Sequence, residues 1–267
     1  MTRFTEVADR VFVLRYPVLD VNVTLVLGDE RALLVDTLAT TRQARELAAA
    51  VAALTDRPLA VLNTHHHFDH CFGNAVFADA PVYAHPETIA FLSTADPVAL
   101  WREWAPTHPG LDDLNTTPVR PPDRHVVHEQ TLDLGGRTVL LRHPGRGHTA
   151  GDVVAHVPDV GLLVAGDLVE ESGPPQFEDA YPLEWPEAVA ELLALEPRVV
   201  VPGHGAVCDA AFVRGQHEEL AALSWLIREA HADGAPADEV VRRCTFEFET
   251  AAVAVARGYA ELDDAIL

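Results

Sequence analysis

No lysine occurs anywhere in this chain; every basic side chain is an arginine. Schiff-base chemistry and lysine nucleophiles are therefore excluded. Cysteine is scarce: Cys71, Cys208 and Cys244 are scattered and odd in number. They make no disulfide framework, and a reducing cytoplasm is the expected setting. No apolar run is long enough to span a bilayer, so no membrane partner is expected. Residues Met1 to Arg10 mix charged and polar side chains without the apolar stretch of a secretory signal. Positive charge is also short. Nineteen basic residues stand against 41 acidic ones, a formal net charge of -22. Such a surface repels phosphate backbones, and the lone basic doublet, Arg242-Arg243, does not offset it, so nucleic acid is not an expected partner.

What is present is enough apolar material, 48% of 267 residues, to bury a sizeable core. Short β-branched runs bounded by turn residues predict strands over Val11–Arg15, Asn22–Leu27, Ala32–Val35, Leu59–Asn63, Val82–Ala84, Thr131–Leu134, Thr138–Arg142, Asp152–Val157, Gly161–Ala165 and Val199–Val201. Helices are expected over Thr41–Leu54, Pro86–Ser93, Pro186–Leu195, Phe212–Ala232 and Thr250–Leu262. Between Asp96 and Arg124 the periodicity lapses into a proline-rich stretch with Trp101 and Trp104. It reads as a partly helical excursion, either a lid over a site or a plain surface insertion.

One internal echo organises the rest. Ala32-Leu33-Leu34-Val35-Asp36 and Leu162-Leu163-Val164-Ala165-Gly166-Asp167 are both apolar strands running into an aspartate, each followed by a helix. Ala60-Val61-Leu62-Asn63-Thr64-His65 and Val199-Val200-Val201-Pro202-Gly203-His204 are both strands running into a histidine. Two halves on one plan predict a single domain over residues 1–267, built from two β-rich repeats with helices outside and a helical C-terminal extension from about residue 210. Both halves would deliver polar residues to one rim of strand ends.

The strongest chemical signal is His65-x-His67-x-Asp69-His70, four potential metal ligands within six residues. Imidazole with carboxylate suits zinc, iron, manganese or nickel rather than calcium or magnesium. In an extended turn His65 and His67 can face one point while Asp69 and His70 face another. His148 lies in the glycine-rich run Gly145–Gly151, Asp167 ends an apolar strand, and His204 is flanked by glycines. Taken singly, each of these also fits a turn histidine or a helix cap. His66 is expected to point away from the ligands, and Cys71 to be a small buried filler. Trp101, Trp104 and Trp185 are candidates for an apolar pocket wall or for core packing.

Taken together, these residues resemble the motif pattern of the metallo-β-lactamase superfamily over the stretch from Asp36 to His204. Asp36 corresponds to the first motif and His65, His67, Asp69 and His70 to the second; His148, Asp167 and His204 correspond to the third, fourth and fifth. The resemblance implies an α/β fold: a four-layer αββα sandwich of two mixed sheets flanked by helices, with the site at one edge. It implies two divalent cations, zinc expected, with iron or manganese as alternatives. His65, His67 and His148 would hold the first, Asp69, His70 and His204 the second, and Asp167 would bridge them, with Asp36 orienting the loop or a ligand histidine. The implied reaction is attack of a metal-bridging hydroxide on the ester, thioester, lactone or amide carbonyl of a small molecule, Asp69 orienting that hydroxide or shuttling its proton. An aspartate at the bridging position resembles glyoxalase II, lactonases and related esterases. The tyrosine usual just after it in lactonases is missing; Tyr181 is a distant substitute whose plainer role is packing. Competing readings are a di-iron redox protein, which would need a flavin partner domain, a nuclease, and a non-hydrolytic metal-binding biosynthetic protein. Neither substrate nor oligomeric state is legible.

Overall fold

A computed structural model describes residues 3–264. Met1, Thr2 and residues 265–267, the ends of the expected domain, lie outside the described residues. The first half of the chain forms β1 (Thr5–Ala8), β2 (Val11–Tyr16), β3 (Val21–Leu27), β4 (Ala32–Val35), β5 (Leu59–Leu62), β6 (Val82–Ala84) and β7 (Arg124–His125). β1 to β4 pair antiparallel in chain order, and β4 to β7 run parallel. The second half forms β8 (Glu129–Asp133), β9 (Thr138–Arg142), β10 (Val154–Val157), β11 (Leu162–Glu170) and β12 (Val199–His204). There β8 to β11 are antiparallel neighbours, and β12 lies parallel to β11. The halves join at one pair, His204 opposite Val21, where β12 meets β3. A single bridge leaves two mixed sheets free to fold face to face.

Side-chain alternation along each strand then sorts residues into layers. Leu33 and Val35 of β4 and Ala60 and Leu62 of β5 point inward, as do Leu162 and Val164 of β11 and Val201 of β12; all share one core between the sheets. The alternate residues point outward. Leu34 and Val61 meet Ala44, Leu47 and Val51 of helix α1 (Thr41–Ala52). Leu163, Ala165 and Val200 meet α4 (Trp185–Leu193), α5 (Ala210–Ala232) and α7 (Phe248–Asp264). The outcome is the expected four-layer αββα architecture, and the internal echo holds down to which face each residue occupies. Burial of these aliphatic side chains, about 1.5–3 kcal/mol each, is the main source of stability. No helix among the described residues is long and apolar enough to cross a membrane.

Strands β1 and β7 and a short helix at Ala237–Val241 were not expected, and two further stretches differ from expectation. The strand expected to stop at Ala165 runs to Glu170, so Asp167 sits within it. Gly166 adopts φ of +56°, and a Cβ there would stand 2.8 Å from that of Thr64, so both backbone and space call for glycine; the pairing with β12 shifts register on either side of it. The excursion at 96–124 holds only short 3₁₀ turns, Ala99–Trp101, Ala105–Thr107 and Leu114–Thr116. It is nonetheless tied down: Val98, Ala105, Leu111 and Leu114 pack with Phe68, Cys71 and Phe72.

Candidate metal centre

β5 ends at Leu62, and after a short turn a four-residue helix, α2 (Phe68–Cys71), begins with His67 as its N-cap. The turn between them is pinned from behind by Asp36 and Thr64. Asp36 adopts φ of +67°, rare for a residue with a side chain. Its carboxylate accepts from Thr64 N–H (2.8 Å), Thr64 Oγ1 (2.9 Å) and His70 Nδ1 (2.8 Å). Strain at Asp36 is thus offset by three hydrogen bonds that shape the ligand turn.

The tautomers follow from these partners. With its Nδ1 proton given to Asp36, His70 turns a bare Nε2 inward. Thr64 Oγ1, whose own proton goes to Asp36, accepts from His65 Nδ1 at 3.0 Å, leaving His65 Nε2 buried without a partner. His204 Nδ1 donates to the Leu19 carbonyl at 2.7 Å, and His67 Nε2 donates to Asp179 at 3.1 and 3.2 Å. Four imidazoles therefore turn a bare nitrogen inward, and His148 Nε2 faces the same space. His67 Nδ1 lies 2.9 Å from His148 Nε2, and His70 Nε2 lies 3.2 Å from His204 Nε2. Lone pairs at such distances repel unless positive charge lies between them.

Asp167 lies between the two groups. Its Oδ2 is 3.6 Å from His65 Nε2, 3.5 Å from His148 Nε2 and 3.2 Å from His204 Nε2; its Oδ1 is 3.2 Å from His70 Nε2. Asp69 Oδ2 is 3.4 Å from His204 Nε2 and 3.7 Å from His70 Nε2. Ligand atoms of His65, His67, His148 and Asp167 fall within 4.8 Å of one another, and so do those of Asp69, His70 and His204. These are two adjacent cages for cations, and the orphaned His65 Nε2 and Asp167 Oδ1 fit that use. The donors are nitrogen and oxygen only. Cys71, fully buried in the same turn, directs its thiol at the carbonyls of His66 and His67, away from either cage.

The electrostatics divide the imidazoles: His65 and His148 are pushed down, while His67, His70 and His204 are raised. Burial pushes the His148 imidazole down to about 3, outweighing attraction to Asp167; burial lowers His65 likewise. Neutral imidazoles are what a metal requires. Burial also works against charge on His204, but Asp167 and Asp69 overcome it and raise that group to about 10. Burial alone would raise Asp167, yet His70, His204 and His65 hold it far below the usual carboxylate range.

All seven expected ligands converge on the rim where β5 and β12 end and β11 breaks register after Gly166, with Asp36 behind them. His67, Asp69, His148, Asp167 and His204 line a groove of about 800 Å³, while His65 and His70 lie buried beneath it. One wall is Phe68, Leu100, Trp101 and Trp104; the other is Glu170, Gln176, Glu178 and Asp179. Trp185 is not part of it: fully buried, it packs behind His148 with ring centroids 5.5 Å apart. Tyr181 stacks under Arg146, 4.2 Å from its ring centre, and is absent from the groove lining. Sequence reasoning missed Asp179, Glu170 and the Leu19 carbonyl. Leu19 and Asp179 belong to loops and Glu170 to a strand extension, and none belongs to a motif.

A family model described as the metallo-β-lactamase superfamily matches residues 16–204. A type 2 metallo-β-lactamase from Bacillus sp. (strain 170) is 29% identical over 154 residues, 56% of this chain and 52% of that protein. The acyl-coenzyme A thioesterase MBLAC2 of Gallus gallus is 30% identical over 161 residues, 55% of this chain and 57% of that protein. The chain thus spans about half the length of these curated relatives. Among solved structures, a metallo-β-lactamase from Pontibacter korlensis superposes with a TM-score of 0.65 at 24% identity, covering 83% of this chain and 99% of that one, a likeness of fold.

Proposed function

This chain belongs to the metallo-β-lactamase superfamily, and from that premise we propose that it is a two-metal hydrolase of small-molecule esters, thioesters or lactones. One observation carries the reading: six donors from distant segments turn toward two adjacent points on either side of a seventh, Asp167, with four imidazole tautomers fixed by hydrogen bonds from behind. Zinc is the proposed metal, since the donor set is imidazole and carboxylate in two four-donor arrangements once Asp167 is shared.

When bound, a pair of such cations brings a shared water toward a pKa of about 7 and polarises a carbonyl. The chain's own residues do the rest. Asp167 and Asp69 supply the negative charge that concentrates cations at the rim. Asp69, buried and opening into the groove, is placed to hold a proton taken from water and to pass it to the leaving group. Phe68, Trp101 and Trp104 give an apolar bed for an acyl or leaving group, with segment 96–124 acting as a lid. The whole chain works as one domain: its C-terminal helices cover the outer face of the second sheet and bring no motif of their own.

Metal analysis of purified protein, paired with a hydrolysis screen across esters, thioesters, lactones and β-lactams, is the direct test. About two equivalents of metal and turnover that chelation abolishes and zinc restores are expected. Asp69→Ala should cut kcat by at least ~100-fold, the usual worth of a positioned proton carrier, with the circular dichroism spectrum unchanged. Full turnover in chelated protein would end the proposal.

A further inference from the structure

The middle histidine of the tripled run is not a spacer. His66 turns away from both cages, its ring lying 4.1 Å from that of Phe91, and its Nε2 stands 3.0 Å from Asp179 Oδ2. His67 Nε2 reaches the same carboxylate, at 3.1 and 3.2 Å from its two oxygens. One aspartate thus meets two consecutive histidines. It comes from the connection between β11 and α4, more than a hundred residues along the chain.

That connection is anchored on both sides of Asp179. Phe177 and Ala180 are fully buried in the core beneath the helices. The Ala180 carbonyl accepts from Arg257 Nε at 3.0 Å, and Tyr181 N–H donates to the Gly147 carbonyl at 2.8 Å, one residue before His148. The carboxylate is therefore held still on a short tether, with its side chain 39% exposed to the groove.

We propose that Asp179 is the positioning residue of the first metal position. It locks His67 with its proton on Nε2, so that Nδ1 is the atom offered beside His65, His148 and Asp167. By the same contact it ties the 171–184 connection, one wall of the groove, to the ligand turn. His66 adds only proximity: its Nε2 lies 3.0 Å from the same carboxylate without a well-aligned hydrogen bond. An outer carboxylate of this kind fixes the ring orientation of a ligand histidine and raises its basicity, and loss of one costs metal affinity about 10–100-fold. This inference rests on the metal-centre reading above, but its test reads binding and tautomer rather than turnover.

The experiment compares wild-type protein with Asp179→Ala and Asp179→Asn. Zinc affinity is measured by chelator competition, and long-range 15N–1H spectra report which ring nitrogen of His67 carries the proton. The wild type should show Nε2–H on His67. Asp179→Ala should lose that preference and bind the tighter zinc equivalent about 10–100-fold more weakly. Asp179→Asn, which keeps one acceptor oxygen, should fall between. Thermal melting identifies any variant that fails to fold, and Asp179→Asn, nearly isosteric, keeps the comparison alive if the alanine variant does. Unchanged zinc affinity with His67 still protonated on Nε2 in both variants would overturn the clamp while leaving the hydrolase reading intact. Wild-type protein that binds no zinc would remove the metal centre itself; His67 protonated on Nδ1 in the wild type would overturn the clamp alone.

Discussion

Asp167 owes its position to a neighbour that has no side chain. A Cβ on Gly203 would overlap Asp167 Oδ1, so the strand carrying His204 passes directly over the carboxylate that separates the two cages. Gly203→Ala should push that carboxylate aside without replacing any ligand residue. A displacement near 1 Å at a reacting centre costs about 100-fold in rate, so kcat/KM should fall by about that much and one metal equivalent should be lost. Far-ultraviolet circular dichroism would check that the sheet survives. Full metal content and full turnover in this variant would mean that Asp167 does not bridge. The ligands themselves were legible in the sequence because the chemistry demands those residue types: His65, His67, Asp69 and His70 are compressed into one turn, and His148, Asp167 and His204 follow strands or glycines. Their orienting partners were only half legible. Asp36 ends a strand and so could be found. Asp179 stands between two core residues in an irregular connection, and the Leu19 contact is made by a backbone carbonyl; neither carries a side-chain pattern that marks it.

Among the elements, strands that bury both faces were the easiest to read, because their β-branched runs leave no alternative. β11 was read short, since Gly166, Asp167 and Glu170 interrupt its apolar pattern while the backbone keeps pairing with β12. The excursion at 96–124 gave no period because its order comes from packing against Phe68 and Phe72 rather than from local propensity. The C-terminal helices were legible as helices, but not for what they do at their contacts. In α7, Glu261 accepts from the Leu183 N–H at 3.4 Å. Burial, with Glu184 nearby, raises this carboxyl from 4.5 to about 7 against the opposing pull of Arg146 and Arg257. A folded-state value above the unfolded one means the folded protein holds this proton more tightly. The contribution is complete below about pH 4.5 and is lost as pH rises through 7. Glu261→Gln keeps the acceptor oxygen and cannot ionise. Its melting temperature should match the wild type near pH 4, exceed it increasingly between pH 4.5 and 7, and hold a constant lead above that. Differential scanning calorimetry across this range decides it; parallel curves at all pH values would show that Glu261 is not held protonated by the fold.

For the whole molecule the governing fact is charge. A net -22 surrounds a groove whose lining includes Glu170, Glu178 and Asp179 and, among the described residues, no arginine. Nearby arginines are already engaged: Arg15 with Asp20, Arg102 with Asp96, Arg146 with Glu184. Burial and the adjacent Asp167 raise the Glu170 carboxyl well above its usual range; Glu178 and Asp179 stand more open to solvent on the same wall. A field of this sign slows the approach of carboxylate- or phosphate-bearing substrates and speeds that of cationic ones, and both effects shrink as salt shortens the Debye length from about 30 Å at 0.01 M to about 8 Å at 0.15 M. Three esters sharing one acyl group, with an anionic, a neutral and a quaternary-ammonium alcohol, separate this from simple fit. Between those salt concentrations kcat/KM should rise about threefold or more for the anionic ester, stay level for the neutral one and fall for the cationic one, within the range known for electrostatic steering. The trimethylammonium group has a further attraction in Trp101 and Trp104, whose ring faces favour cations, so the cationic ester should also show the lowest KM at low salt. Equal salt dependence for all three, or a fall for the anionic ester, would mean that the charge at the metal centre outweighs the acidic surround, and the apolar wall alone would then set selectivity.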